Sequence, residues 1–227
     1  PEDILAISGI QYGITSNGAA VYRLSDRKCL KQCKLTKESV REILKYTERQ
    51  ETAFEAFIEG KPYAQKEYVE DPVRFGATHR AIPYIQSTRE PVADMVSFIY
   101  DHQEILDCLD IVVKSEEKKK ELWKTLRENV KDVYITSSVT QLLEISHRDS
   151  GKEAGIRFLL EYLGLKREGL AAFGDGDNDR EMLSYAQVGI AMENGSLECK
   201  KAADWIAPSN ENDGVAWGIE KLLEENQ

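Results

Sequence analysis

The chain has 227 residues, 41% hydrophobic and 31% charged, a balance that excludes a disordered polymer and suits one large domain or two smaller ones. Its 40 Asp and Glu against 30 Lys and Arg give a formal charge of −10, which argues against bulk affinity for nucleic acid or an anionic membrane. No apolar run approaches the ~18 residues of a membrane span, and Pro1-Glu2-Asp3-Ile4 carries neither the basic flank nor the apolar core of a signal peptide.

Ile4–Ile7 reads as a short apolar segment. Ser16-Asn17-Gly18 is a strong turn signal, because Asn and Gly tolerate positive φ, and Ala19–Leu24 reads as the strand that returns from it. Thr36 is placed to cap a helix with Val40, Ile43, Leu44 and Thr47 on its inner face. Ala53–Glu59 and Tyr63–Val69 read as strands joined at Gly60-Lys61-Pro62, and Asp71–Ser87 as irregular. Pro91 suits the first turn of a helix. Leu109–Lys114 is a predicted strand, Ser115 caps the next helix, and Val130–Ser137 with Thr140–Ser146 form another strand pair. The middle of the chain is therefore an α+β arrangement with antiparallel pairs.

Beyond residue 146 the pattern changes. Ser150-Gly-Lys-Glu153 fits a capping box for a helix that stops at Gly164. Short buried strands at Gly169–Phe173, Val188–Met192 and Trp205–Ala207 alternate with helices, which predicts a parallel sheet covered on both faces. The four cysteines form no C-x-x-C pair and stand far from the three histidines, so they read as free thiols in a reducing cytoplasm rather than zinc ligands.

The segment Phe173-Gly-Asp175-Gly-Asp177-Asn178-Asp179-Arg180 follows a strand and opens a helix, where open α/β sheets bind ligands. An EF-hand fails, since the sixth and twelfth positions from Asp175 are Arg180 and Ala186. A dinucleotide G-x-G-x-x-G also fails, because Asp179 stands at the third glycine. Two readings remain on these residues alone. One is a Mg²⁺ site for phosphate chemistry with Asp175 as a ligand; the other is a solvated acidic turn. Lys152, at a helix start, is placed to meet an anion together with free backbone N–H groups, or is an ordinary surface lysine.

The chain resembles the haloacid dehalogenase superfamily of phosphatases, in its Cof-type subgroup with a large inserted α/β cap. The resemblance rests on Ile14–Tyr22, on Leu143–Ile145 through Gly151-Lys152, on Phe173–Leu183, and on the tail Val188–Met192 with Asn194, Lys201–Asp204 and Asp213–Val215. It implies an α/β fold: a Rossmann-like core with a parallel sheet, from 1–34 and 146–227, and an α+β cap from 35–145. It implies Mg²⁺-dependent hydrolysis of a small phosphorylated metabolite of sugar-phosphate type through an aspartyl phosphate, with a phosphomutase as a near variant. Asp175 would bind Mg²⁺, and Asp179 would support it directly or through water. Lys152 would neutralise the phosphoryl group and the nucleophile, Asn178 would hydrogen-bond the phosphate or a bound water, and Asn17 and Gly18 would lie near the pocket mouth at the cap entrance. A small phosphate ester is the implied partner, in the cytoplasm.

One part of the pattern is missing. The family's first motif, D-x-D-G-T, supplies the attacking carboxylate, and no D-x-D precedes Asp175. The expectation is a fragment lacking about one strand-helix-strand unit, without phosphatase activity by itself. The competing expectation is a non-catalytic binding module that keeps the fold. In the cap, Tyr63, His79 and Arg80 are polar candidates for substrate contact, although a solvated surface suits each of them as well.

Overall fold

The computed structural model describes residues 9–225, so the apolar segment expected at Ile4–Ile7 lies outside the described residues. The chain divides after Gly151 into two compact units.

The first unit opens with β1 (Tyr12–Thr15), β2 (Ala20–Arg23) and β3 (Lys28–Gln32), which pair antiparallel in that order. The turn between β1 and β2 is the predicted one, with Ser16, Asn17 and Gly18 at φ of 49°, 51° and 88°. Then follow α1 (Lys37–Thr47), β4 (Ala53–Ile58), β5 (Lys61–Gln65), α2 (Lys66–Glu70), α3 (Ile82–Thr88), β6 (Glu90–Val92) and α4 (Met95–Asp101). β7 (Cys108–Val112), α5 (Glu116–Asn129), β8 (Val133–Thr136) and β9 (Leu142–His147) complete the unit. Six of these strands form one sheet in the order β6-β5-β4-β7-β9-β8, antiparallel except for β5 with β6.

Alternation along the strands decides what each face of that sheet does. Phe54 and Ala56, Leu109 and Ile111, and Leu143 and Ile145 pack beneath α1, α4 and α5 in the main core. Thr36 and Ser115 cap α1 and α5 as the sequence predicts, accepting from the backbone N–H of Ser39 and Lys118. The opposite face is banded. The row Ala53, Val112 and Leu142 is apolar and lies under α2 and α3 with Tyr68, Phe75 and Ile85. The next row is Glu55, Asp110 and Glu144, three carboxylates in register on adjacent strands.

Three expectations for this unit need correction. The strand expected over Tyr63–Val69 ends at Gln65, and Lys66–Glu70 turns helical because this buries Tyr68 and Val69. Pro91 does not start a helix. It lies in the edge strand β6, where a missing N–H costs no ladder bond, and α4 starts later because Asp94 caps it by accepting from the Ser97 N–H. The stretch expected to be irregular, Asp71–Ser87, contains two 3-10 turns and most of α3.

The second unit holds α6 (Lys152–Leu163), β10 (Ala171–Gly174), α7 (Arg180–Tyr185), β11 (Val188–Met192), α8 (Leu197–Ala202), β12 (Trp205–Ala207) and α9 (Gly214–Glu225). β10, β11 and β12 form the predicted parallel sheet. Ala172 and Ala191 face Leu183, Ala186 and Cys199 of the α7–α8 layer. Phe173, Ile190 and Met192 face the other way, where Leu222 of α9 packs. Small residues on one face and large ones on the other seat two helical layers at different depths. The capping box expected at Ser150 does not form: the Ser150 hydroxyl is buried with no hydrogen-bond partner among the described residues. No helix among the described residues is long and apolar enough to cross a membrane.

Candidate active site

In the second unit the acidic loop leaves the carboxyl end of β10 and passes through a 3-10 turn at Asp177–Asp179 into α7. Consecutive carboxylates repel, and the loop answers with local donors. Asp179 is buried, and its Oδ2 accepts from the backbone N–H of Asp175 and of Gly176, both at 2.9 Å. Its Oδ1 is ion-paired with the Lys152 ammonium. Charge-assisted bonds of this kind are about twice as strong as neutral ones. Gly174 makes the fold-back feasible, because a Cβ there would collide with the Asp179 side chain.

Asp175 by contrast is exposed at the strand tip, and its backbone is pinned from behind: the Ser196 N–H donates to the Asp175 carbonyl at 2.8 Å. Ser196 also donates from its hydroxyl to Asp177 Oδ1 at 2.6 Å and accepts from the Cys199 N–H at the start of α8. Sequence reasoning missed Ser196; the signal available was its place as a helix cap after β11. Asn178 is buried within the turn. Four of the expected residues, Lys152, Asp175, Asn178 and Asp179, are thus present in one unit, with Lys152 and Asp179 in direct contact.

The donor set bears on a metal. Burial, followed by the charges of Asp179, Asp175 and Asp177, pushes the Cys199 thiol up to about 11, a mark of concentrated negative potential. No three Asp, Glu, His or Cys side chains gather into a cage among the described residues. Mg²⁺ fits such a site, since it commonly takes one or two carboxylates and keeps waters and phosphate oxygens for the rest. Asp175 offers the open carboxylate. Asp179 has both oxygens engaged and acts in this structure as the anchor of the loop.

Asn17 and Gly18 belong to the first unit. Gly18 is locked there, since a Cβ would run into the Gly151 carbonyl, and the Gly151 N–H donates to the Asn17 carbonyl at 2.8 Å. The Asn17 side-chain amide donates to Glu144 Oε1 at 3.0 Å, at the end of the carboxylate row. Asn17 and Glu144, but not Gly18, line a cavity of about 710 Å³ together with Glu55 and Asp110. None of Tyr63, His79 and Arg80 lines it: Tyr63 packs on Phe98, and His79 and Arg80 are exposed.

Residues 2–219 match the haloacid dehalogenase-like hydrolases. The chain belongs to this family. As a haloacid dehalogenase-like protein it combines a Rossmann-like parallel sheet with a larger α+β sheet. Phosphatase YwpJ of Bacillus subtilis is 27% identical over 190 residues, which cover 83% of this chain and 61% of YwpJ. The 5-amino-6-(5-phospho-D-ribitylamino)uracil phosphatase YitU of the same organism is 43% identical over 75 residues, 33% of this chain and 28% of YitU. The haloacid dehalogenase-like chain therefore spans less than two thirds of the length of either relative. The solved structure of a haloacid dehalogenase-like hydrolase from B. subtilis shares the fold, with a TM-score of 0.79 and 24% identity over 95% of this chain and 82% of that one.

Proposed function

We propose that this chain carries the phosphate- and metal-binding part of a Mg²⁺-dependent phosphomonoester hydrolase acting on a small phosphorylated metabolite of sugar-phosphate type. The observation that carries the reading is the Lys152–Asp179–loop network beside the open carboxylate of Asp175. Lys152 supplies a positive charge held in place by a buried anion, ready to share itself with a phosphoryl oxygen. Asn178 offers a neutral amide to the same oxygens. Asp175 would hold Mg²⁺, which when bound neutralises charge on the phosphate. Asp179 keeps the loop folded so that the Asp175 carboxylate points outward. Residues 35–145 would act as the cap that selects the ester, and 1–34 with 146–227 as the core that carries the chemistry. The names of YwpJ and YitU support phosphatase activity, and YitU's supports a small phosphorylated compound. Four free thiols suit a reducing, cytoplasmic setting.

The attacking carboxylate is not among these residues in its D-x-D-G-T form, and Asp175, as a metal ligand, is not placed for in-line attack. Hydrolysis of p-nitrophenyl phosphate tests the reading, with the 227-residue chain alone and with the chain completed by a strand-helix-strand unit bearing that motif. Turnover is expected only in the completed form, only with Mg²⁺, and not after Asp175→Ala. Full turnover in the Asp175→Ala protein would contradict the metal assignment. No turnover in the completed form would favour a non-catalytic module.

A further inference from the structure

The carboxylate row of the first unit binds no phosphate in that reading; it lies within residues 35–145, the cap proposed to select the ester, and its chemistry is different. Glu55 is fully buried. One of its oxygens, Oε2, accepts two N–H bonds from Arg89, at 2.9 and 3.1 Å. The other, Oε1, is buried with no hydrogen bond of ordinary geometry among the described residues, although the Tyr68 hydroxyl stands close enough to the carboxylate to interact with it. An orphaned carboxylate oxygen in the interior is costly unless something donates to it. Asp110 is buried next to it and takes the Cys108 thiol as donor to Oδ1 at 3.0 Å. Burial and the charges of Glu144 and Glu55 hold Asp110 well above the usual carboxylate range, so the row strains against its own repulsion.

The cavity in front of this row is about 710 Å³, a size that takes a small molecule. Four carboxylates line it, Glu55, Glu59, Asp110 and Glu144, against one guanidinium, Arg89. The rings of Tyr22, Phe57, Tyr68 and Tyr84 line it as well. Aromatic faces with surplus carboxylates recognise organic cations, through ring quadrupoles and charge-assisted hydrogen bonds. Arg89 shows the walls doing so already, with its guanidinium 4.8 Å from the Tyr84 ring centre and 5.8 Å from that of Phe57. A neutral ligand could donate a hydroxyl to the orphaned oxygen, but only a cation would also offset the surplus charge.

We propose that this cavity is a binding site for a small organic ammonium ion, whose N–H donors meet the carboxylate row of Glu55, Asp110 and Glu144 and whose charge faces the surrounding rings. The site lies wholly within residues 15–144 and stands whether or not the chain takes part in phosphate chemistry.

Isothermal titration calorimetry at pH 7 tests it, with D-glucosamine and putrescine as probes and D-glucose as the neutral twin of the first. At least one amine should bind, glucosamine or putrescine, and more tightly than glucose by about tenfold or more. Asp110→Asn and Glu144→Gln, each checked for cooperative melting, should each weaken that binding by about tenfold, while Glu117→Gln, an exposed carboxylate on α5, should leave it unchanged. Should one row variant fail to melt cooperatively, the other carries the test, and saturation-transfer contacts from bound amine to tyrosine rings replace the lost comparison. Absence of binding by both amines, equal binding of glucose, or equal weakening by Glu117→Gln would overturn the proposal.

Discussion

The two acidic clusters of this chain solve the same electrostatic problem in opposite ways. In the loop after β10 the carboxylates are close in sequence, and backbone N–H groups and Lys152 neutralise the inner one, which leaves Asp175 exposed. In the sheet they come from strands up to about ninety residues apart; Glu55 is matched by Arg89, Glu144 accepts from Asn17 and the Ser138 N–H, and one buried Glu55 oxygen has no donor of ordinary geometry among the described residues. Local neutralisation of the inner carboxylate makes a pinned loop with one outward carboxylate. Incomplete neutralisation in a cavity leaves a demand for a cation.

That comparison breaks first at Arg89. Arg89→Ala strands the Glu55 carboxylate in the interior, and removing one partner of a buried pair typically costs about 3–5 kcal/mol. Chemical denaturation of the variant should show a loss of that order; a loss near zero would mean that Glu55 is protonated in the native protein. Asp179→Ala removes the acceptor of two amides and the partner of Lys152, an expected cost of about 2–3 kcal/mol, with faster amide exchange at Asp175 and Gly176 as its local signature. Lys152→Ala should cost less, about 1 kcal/mol or below, since its side chain is about one-third exposed, yet turnover of the completed enzyme should fall steeply.

The smallest effect carries a sign. The folded pKa of Asp110 lies above its unfolded value, so the unfolded chain ionises first and stability falls as pH rises from about 4 towards the folded pKa. Asp110→Asn removes this penalty while keeping an oxygen for the Cys108 thiol. Its melting temperature should match the parent near pH 4, exceed it increasingly as pH rises, and level off once Asp110 ionises in the folded protein. A constant difference across that range would show that Asp110 does not titrate as argued.

The same contrast explains what could be read from the sequence. The acidic loop was legible because its residues are consecutive and its position, between a buried strand and a helix, is itself a sequence pattern. The caps at Thr36 and Ser115 and the turn at Asn17-Gly18 were legible for the same local reason. Pro91 misled because the same fixed φ serves a helix start and a sheet edge, and only the sheet order distinguishes them. Ser150 misled because a cap motif does not say where the hydroxyl points. The carboxylate row was not legible, since Glu55, Asp110 and Glu144 become neighbours only through strand register. Its one trace was a single acid inside each of three largely apolar segments, Ala53–Ile58, Cys108–Val112 and Leu142–His147.

We propose that the loop, and not the row, takes the divalent metal. Titration of the uniformly ¹⁵N-labelled chain with Mg²⁺, followed by amide shifts, tests it directly. The account predicts saturable shifts at Asp175, Gly176 and Ser196 that vanish in Asp175→Ala, with the amides of Glu55, Asp110 and Glu144 unmoved. Saturable shifts along the carboxylate row, with the loop amides still, would contradict it.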